Sequence, residues 1–317
     1  YDNLPLNLFD KNHTIDIYFE HLSKNISLRD LIFESELKKY SDSTELVYSI
    51  DLNGKHISQI YTLYNKGFII NYRLENDGFE QLMDSKNLNF YWKGKMPKIE
   101  REMVDARQRA TTRYYSLSGN SDYISKTSMQ YEEMPLDEYI KWMAFNQKFF
   151  TASVISENGF SKGLITLMPS KNGKTVKDGA LSAEIPFVDF LNNQAHFKYF
   201  FGPNKYNILN QVTEGFSQNI ELGWLFLPFI NKYLIIPIFN FLEKFMSNYG
   251  LIIIIMVLII RIILSPLTYK SHISMAKMRV LKPELDAIRE KHNGDMQKAQ
   301  PDQLELYRKV GINPLSG

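Results

Sequence analysis

The first candidate for chemistry is a single cation inside an apolar run. Arg261 interrupts residues 251–264, of which the other thirteen are all apolar, and Ser265 and Thr268 follow it at four and seven residues. On a helix this spacing puts all three on one stripe. The stripe has two readings. In one, the guanidinium snorkels to a headgroup layer, since Arg261 lies about 6 Å from the level of Ser265 at about 1.5 Å per residue. In the other, Arg261, Ser265 and Thr268 line a cationic, water-filled groove. The two hydroxyls beside the charge favour the groove, because an isolated snorkelling arginine does not need them.

Elsewhere the chemistry-bearing residues are scattered. His13, His21, His56 and His196 are far apart, and none has a metal-ligand spacing. No nucleophile elbow and no phosphate-cradling glycine loop occurs, and cysteine is absent, so disulfides and thiolate chemistry are excluded. No enzyme, cofactor or metal site is expected. Arg101, Arg107, Arg109 and Arg113 form a basic cluster, but Glu100, Glu102 and Asp105 interleave with it, and a solvated face is the preferred reading over an anion site. Tyr114, Tyr115, Tyr139, Trp142, Phe145, Phe149 and Phe150 could line a carbohydrate cleft or build a β-sandwich core, and the core is preferred.

The element that positions Arg261 is residues 248–269. With its neutral flanks the run is about 20 residues, and such a helix covers about 30 Å, one hydrocarbon thickness. The thirteen apolar residues favour insertion by about 4–8 kcal/mol in total. One central arginine opposes it by about 2.5–3.5 kcal/mol. The apolar side wins, so the arginine does not veto a membrane span. Lys270, Lys277, Arg279 and Lys282 follow with no acid before Glu284, whereas Glu243 and Lys244 cancel on the other side. The positive-inside bias places the C-terminal side in the cytoplasm and residues 1–220 outside it.

The 317 residues carry a net charge of +2, which suggests no nucleic acid specificity, and a mean hydropathy of −0.28, so the membrane signal is confined to one region. Residues 1–218 read as a β-rich domain. Runs rich in β-branched and aromatic residues stand at 45–51, 57–64, 68–74 and 88–92, and further candidates at 149–155, 163–168 and 195–201. Asn53-Gly54, Asn65-Lys66-Gly67, Asn76-Asp77-Gly78, Asn158-Gly159 and Asn172-Gly173 supply turns. A helix is expected over 135–146. Strands at this spacing indicate a sandwich or barrel.

Residues 219–247 read as a helix lying in the membrane interface. Pro228 and Pro237 break any single long helix. Asn240, Glu243, Lys244 and Ser247 make one polar face, with Trp224 and Tyr233 as headgroup-level anchors. A second, kinked span is the alternative. After the span, Pro266 sets an end or a kink. Residues 271–291 and 296–310 then read as two amphipathic helices joined by a turn at 292–295, a helical hairpin over 270–312 in which Leu285 faces Leu304 or Tyr307.

These residues resemble a known family. Residues 248–282, with MAKMR at 275–279 and LKPE at 281–284, resemble the second membrane helix and following cytoplasmic hairpin of bacterial YidC-type (YidC/Oxa/Alb) membrane protein insertases. Asn313-Pro314-Leu315 resembles the motif that opens the next membrane segment, so 313–317 would start it. Gly202-Pro203 followed by Gly223-Trp224 resembles the junction between periplasmic domain and interfacial helix, and Trp142 with Phe150-Thr151-Ala152 a periplasmic strand region. The likeness is specific from about Gly202 onward.

The resemblance implies a mainly β periplasmic domain, a β-supersandwich over 1–218 related in shape to mutarotase-like domains. An α-helical membrane segment and a cytoplasmic helical hairpin would follow. It implies further membrane helices before Tyr1 and after Gly317, and an inner (plasma) membrane location. It implies a chaperone and insertase with a positive polar groove in the inner leaflet, in which Arg261 supplies the charge and no ATP site is needed. Nascent membrane proteins, the lipid bilayer, the Sec translocon, and ribosome or targeting factors at the hairpin would be the partners. The rival from another class is a carbohydrate-binding or carbohydrate-active periplasmic domain on a membrane anchor.

Overall fold

The computed structural model describes residues 7–9, 11, 13–84, 86–171, 173–223 and 225–311. The chain divides into two compact units, one closing at Glu221 and the other opening at Leu222. Among its described residues the first holds strands β1 (Thr14–His21), β2 (Lys24–Ser27), β3 (Glu34–Lys39), β4 (Ser43–Leu52), β5 (Lys55–Tyr64), β6 (Ile69–Asp77), β7 (Leu88–Pro97), β8 (Thr111–Ser116), β9 (Ser121–Tyr123), β10 (Glu132–Leu136), β11 (Ile140–Asn146), β12 (Phe150–Phe160), β13 (Gly163–Pro169), β14 (Thr175–Ile185) and β15 (Ala195–Pro203). Short α-helices α1 (Met103–Arg109) and α2 (Phe187–Leu191) lie between strands, and α3 (Tyr206–Leu209) follows β15.

The strands form two antiparallel sheets. One has nine strands in the order β3-β4-β5-β6-β15-β12-β11-β8-β9, the other six in the order β10-β13-β14-β7-β1-β2. Large aromatics fill the space between them. Trp92 of β7 meets Phe145 of β11 edge-on at 5.4 Å and Tyr199 of β15 at 5.9 Å, and all three are buried. Gly179 stands where β14 passes under Phe145: a Cβ there would lie 3.0 Å from the Phe145 ring and 3.0 Å from the Thr166 carbonyl. A second, smaller core lies on the far side of the nine-stranded sheet. There Trp142 stacks on Tyr115 at 5.7 Å and meets Phe216 at 5.2 Å, and its indole N–H donates to the Glu214 carbonyl. Gly215, at φ +69°, lies so close under Tyr115 that any side chain would collide with the ring. Residues 204–221 thus cover one face of the sheet, and β11 is buried on both.

The seven strand expectations coincide with β4, β5, β6, β7, β12, β13 and β15. The helix expected over 135–146 is overturned: those residues form β10, a turn and β11. Asn158-Gly159 is not a hairpin turn either. It lies inside β12, where the register against β11 shifts between Ile155 and Phe160; Gly159 takes φ +84° and its N–H donates to Ser156 Oγ. Asn53-Gly54 is the expected tight turn, with φ of 57° and 75°. Of the turn at Asn172-Gly173, Asn172 lies outside the described residues, as do Trp224 and Asn313-Pro314-Leu315.

The second unit is helical: α4 (Leu227–Ile230), a π turn (Asn231–Ile235), α5 (Ile236–Glu243), α6 (Tyr249–Lys291) and α7 (Met296–Val310). The two prolines do not break the first stretch. Pro228 sits at a helix start, where no N–H is needed, and the wider π turn precedes Pro237, whose ring would clash with the carbonyl of Tyr233 in a regular α-helix. The polar face expected on α5 is only partly outward. Lys244 and Ser247 are exposed, but Asn240 and Glu243 are half-buried, and Phe241 and Phe245 point out instead. Glu243 accepts from the Tyr249 hydroxyl at 3.2 Å, and Leu242 and Ile252 are buried where α5 meets α6.

Pro266 neither ends nor interrupts α6. The helix runs 43 residues with Pro266 and Pro283 inside it, so the expected division at 269/270 falls within one element. Asn248 caps its start by accepting from the Leu251 N–H. α6 turns back at Asn293 and Gly294, both at positive φ, into α7, whose cap Asp295 accepts from the N–H groups of Gln297 and Lys298. The hairpin forms, with a different seam. Leu281 and Ala299 are the buried residues, Gln303, Leu306 and Tyr307 are half-buried, and Leu304 is 45% exposed. Of the two partners expected for half-buried Leu285, Tyr307 is half-buried and Leu304 faces out.

Candidate functional site

α6 is, among the described residues, the one helix long and apolar enough to cross a membrane. Its first turns are hydrophobic all round because the sequence offers only Ile, Leu, Val and Met from 251 to 260. Half of these side chains are exposed, and Ile253, Ile254 and Leu258 are each more than half exposed. From residue 261 the character changes. Arg261, Ser265 and Thr268 are all exposed, as the stripe reading requires. At about 100° per residue they lie within about 40° of one line along the helix. The Thr268 hydroxyl donates to the Leu264 carbonyl at 2.9 Å, so it is oriented by its own helix. Pro266 has no N–H, which leaves the Ile262 carbonyl without its usual helical donor, one residue from Arg261. The site thus combines a cation, two hydroxyls and a freed backbone acceptor on a helix otherwise dressed in hydrocarbon. Such a set offers one positive charge, hydroxyl groups and a backbone acceptor side by side.

Two further residues belong to this face, and sequence reasoning missed them. His272 and Arg279 are exposed and lie within about 20° of the Arg261 line, eleven and eighteen residues on. The expected boundary at 269/270 ended the stripe at Thr268. A helix continuous through the proline extends it to Arg279, beyond which Asp286 and Glu290 reverse its sign.

The β unit brings few of its candidate residues together. Among the described residues no group of three histidines or carboxylates converges as a metal site would require. His21 Nδ1 pairs with the Leu82 carbonyl, and His56 Nε2 with Ser58 Oγ. Tyr115, Trp142 and Phe145 are core residues, as the sandwich reading expected, while Tyr139 and Phe149 stand exposed. The arginine cluster is split: Arg107 donates to the Ser170 carbonyl, Arg113 is buried and donates to the Gln218 carbonyl, and Arg109 pairs with Asp105. A polar cleft on β6, β12 and β15 is lined by Arg73, Glu157, His196 and Lys198, but Arg73 is tied to Glu45 and Glu75, and Lys198 to Glu157.

Comparison with known proteins gives a consistent result across the chain. A family model described as the YidC periplasmic domain matches residues 2–237, and one described as 60Kd inner membrane protein matches residues 241–317. A protein named membrane protein insertase YidC from Amoebophilus asiaticus (strain 5a2) is 37% identical over 99% of this chain and 54% of its own length. One of the same name from Cytophaga hutchinsonii is 32% identical over 100% of this chain and 53% of its own length. The chain spans about half the length of the curated relatives it matches. Among solved structures, a putative aldose 1-epimerase from Escherichia coli K12 aligns at 9% identity and a TM-score of 0.32, over 59% of this chain and 79% of that one. A galactose mutarotase-like protein from Lactobacillus casei ATCC 334 aligns at 11% identity and 0.33, over 60% and 84%. Likenesses of that size carry no functional argument.

Proposed function

Because the chain belongs to the YidC family of membrane protein insertases, we propose that the protein of which it is part inserts nascent membrane proteins into the inner membrane and assists their folding. The observation that supports this reading is the polar stripe of Arg261, Ser265 and Thr268 on a helix whose other exposed residues at this depth are apolar. A polar, acidic tail of a substrate rests against that stripe, which shortens the hydrocarbon distance it must cross, while the substrate's apolar helix moves into lipid beside it. Arg261 supplies a positive charge, and Ser265 and Thr268 replace part of its hydration. Residues 219–247 lie in the interface and 248–269 in the bilayer. The hairpin over 270–312 meets the ribosome or targeting factors, and the Sec translocon is a further partner.

The test is depletion of the native insertase and complementation with the full-length protein. Arg261→Lys should retain most insertion of a single-spanning substrate, and Arg261→Ala should impair it most when the translocated tail carries acids. Full activity of Arg261→Ala on every substrate would reduce the residue to a snorkelling anchor. Topology is checked separately, since the chain has no cysteine. An impermeant reagent added outside spheroplasts should label Ser121→Cys and not Asn293→Cys; the reverse pattern would sink the reading.

A further inference from the structure

The arginine cluster that the function leaves unused contributes to a cleft of its own. At the edge of the β unit, a cleft of about 230 Å³ is lined by the cations Arg109, Lys126 and Lys148, by Asn146, Gln147, Asn204 and Asn219, and by one acid, Glu221. The amide groups come from the β11–β12 turn and the segment after β15, which lock together: Asn204 Nδ2 donates to Asn146 Oδ1 and to the Gln147 carbonyl. Each of the three cations has an acid partner, two of them sharing one carboxylate. Lys126 binds Glu221, and Asp105 takes Lys148 at 2.6 Å and Arg109 at 3.6 Å. The balance among the lining residues is still positive. Its field is visible on Glu221, whose carboxyl is held below the usual range by its hydrogen bond from Lys126, and further by the charges of Lys126, Arg113 and Arg109. An independent sign of a ligand is Asn219. Its side chain is 3% exposed, its amide N–H group donates to the Phe216 carbonyl, and its Oδ1 has no partner. A buried acceptor left unpaired is costly, on the order of 1–3 kcal/mol.

Three cations with an unused acceptor fit an anion that also carries a donor. That is the chemistry of a phosphodiester headgroup ending in an ammonium or hydroxyl. The backbone that lines the cleft, Asn219 to Glu221, continues directly into Leu222, Leu225, Phe226 and Leu227, of which the last three are exposed apolar residues. Along the chain, the wall of the cleft is thus followed within six residues by an acyl-compatible segment. We propose that this cleft binds the headgroup phosphodiester of a membrane phospholipid. The proposal does not rest on the insertase reading.

The test uses the full chain in uncharged maltoside micelles, titrated calorimetrically with short-chain phosphatidylethanolamine or phosphatidylglycerol, and in parallel with inorganic phosphate. Saturable lipid binding is expected, weakening as salt is raised. Loss of one charge-assisted bond should weaken it about tenfold in Arg109→Gln and in Lys148→Gln. Lys162→Gln, which removes a cation remote from the cleft, should bind as wild type. Arg109 is the more exposed of the two, so its variant keeps the test valid if Lys148→Gln does not fold. Unchanged affinity in the folded cleft variants, or no lipid binding at all, would overturn the proposal. Inorganic phosphate binding as tightly as the lipid would overturn the membrane source and leave a free-phosphate site.

Discussion

In the β unit Trp92, Trp142, Phe90 and Phe160 are at 0% exposure; in α6 only Ile252 and Leu281 are buried along 43 residues, and Ile254, Leu258 and Ile262 stand 59, 54 and 70% exposed. Both regions are rich in large apolar side chains, so composition does not separate them. What differs is whether the fold supplies its own apolar partners. Two sheets facing each other remove their aromatics from water without help. A single long helix cannot, and its surface is stable only against lipid or other helices. The same substitution type should therefore act through packing in one region and through solvation in the other.

The largest expected effect is on packing. Trp142→Ala removes a ring that touches Tyr115 and Phe216, and should lower the unfolding free energy of the β unit by about 3–5 kcal/mol. Urea denaturation of the intact chain in detergent, followed by fluorescence of buried Trp92, measures it. Extraction by alkaline carbonate should show α6 still integrated, and a parallel loss of integration would erase the contrast. The converse variant is Leu258→Arg. A second arginine in the span opposes insertion by about another 2.5–3.5 kcal/mol, which brings the apolar gain of residues 251–264 close to balance. The carbonate-resistant fraction should fall, with no change in the urea midpoint of the β unit.

A third variant sharpens the comparison from inside the sandwich. Lys177 is 1% exposed, and its ammonium donates to the Lys126 carbonyl. Burial lowers its pKa to about 8, against about 10.4 in an unfolded chain. Between those values the unfolded chain holds the proton that the fold has released, so stability rises as pH goes from about 8 to about 10. Below pH 8 the penalty for the buried charge is fully present. Lys177→Met should therefore stabilise the β unit at pH 7, by about 1–3 kcal/mol, with the gain shrinking above pH 8. Thermal melts of both proteins from pH 7 to 9.5 test the sign, and a gain that grows with pH would contradict it.

The smallest effect is expected at the hairpin tip, where Asp302 accepts from His292 Nε2 at 3.0 Å and Lys291 Nζ at 3.2 Å. The hydrogen bonds from His292 and then Lys291 hold the Asp302 carboxyl below its usual range. Their support is present above the ordinary carboxylate range and is lost as pH falls through the lowered value. Asp302→Asn should speed hydrogen exchange at 291–296 modestly and leave α6 unaltered nearer its start.

Legible strands include β7 and β15, whose buried residues are mostly large and apolar. β14 was missed although its burial alternates almost without fault, because its inward set includes Thr175, Lys177 and Gly179 beside Leu181, Ala183 and Ile185. A lysine and a glycine do not announce a core face. β11 was read as helix because it is buried on both sides: its continuous apolar run, Trp142-Met143-Ala144-Phe145, fits either period. The small core behind the sheet depends on residues 204–221 folding back, which no local pattern reveals. The stripe on α6 is legible as far as Thr268, and the expected boundary at 269/270 conceals the rest, because nothing local shows that the helix runs on through it.

The continuity of α6 has a mechanical meaning. At about 1.5 Å per residue the helix is a rod of about 64 Å, roughly twice the hydrocarbon thickness of about 30 Å. No loop separates the half that carries Arg261 from the half that ends in the hairpin. A torque applied at the tip near Gly294 is transmitted along the shaft as a change in azimuth of Arg261. Pro283 and Pro266 each remove one helical hydrogen bond between the tip and Arg261, at the carbonyls of Arg279 and Ile262, so these two points are the compliant joints of that shaft.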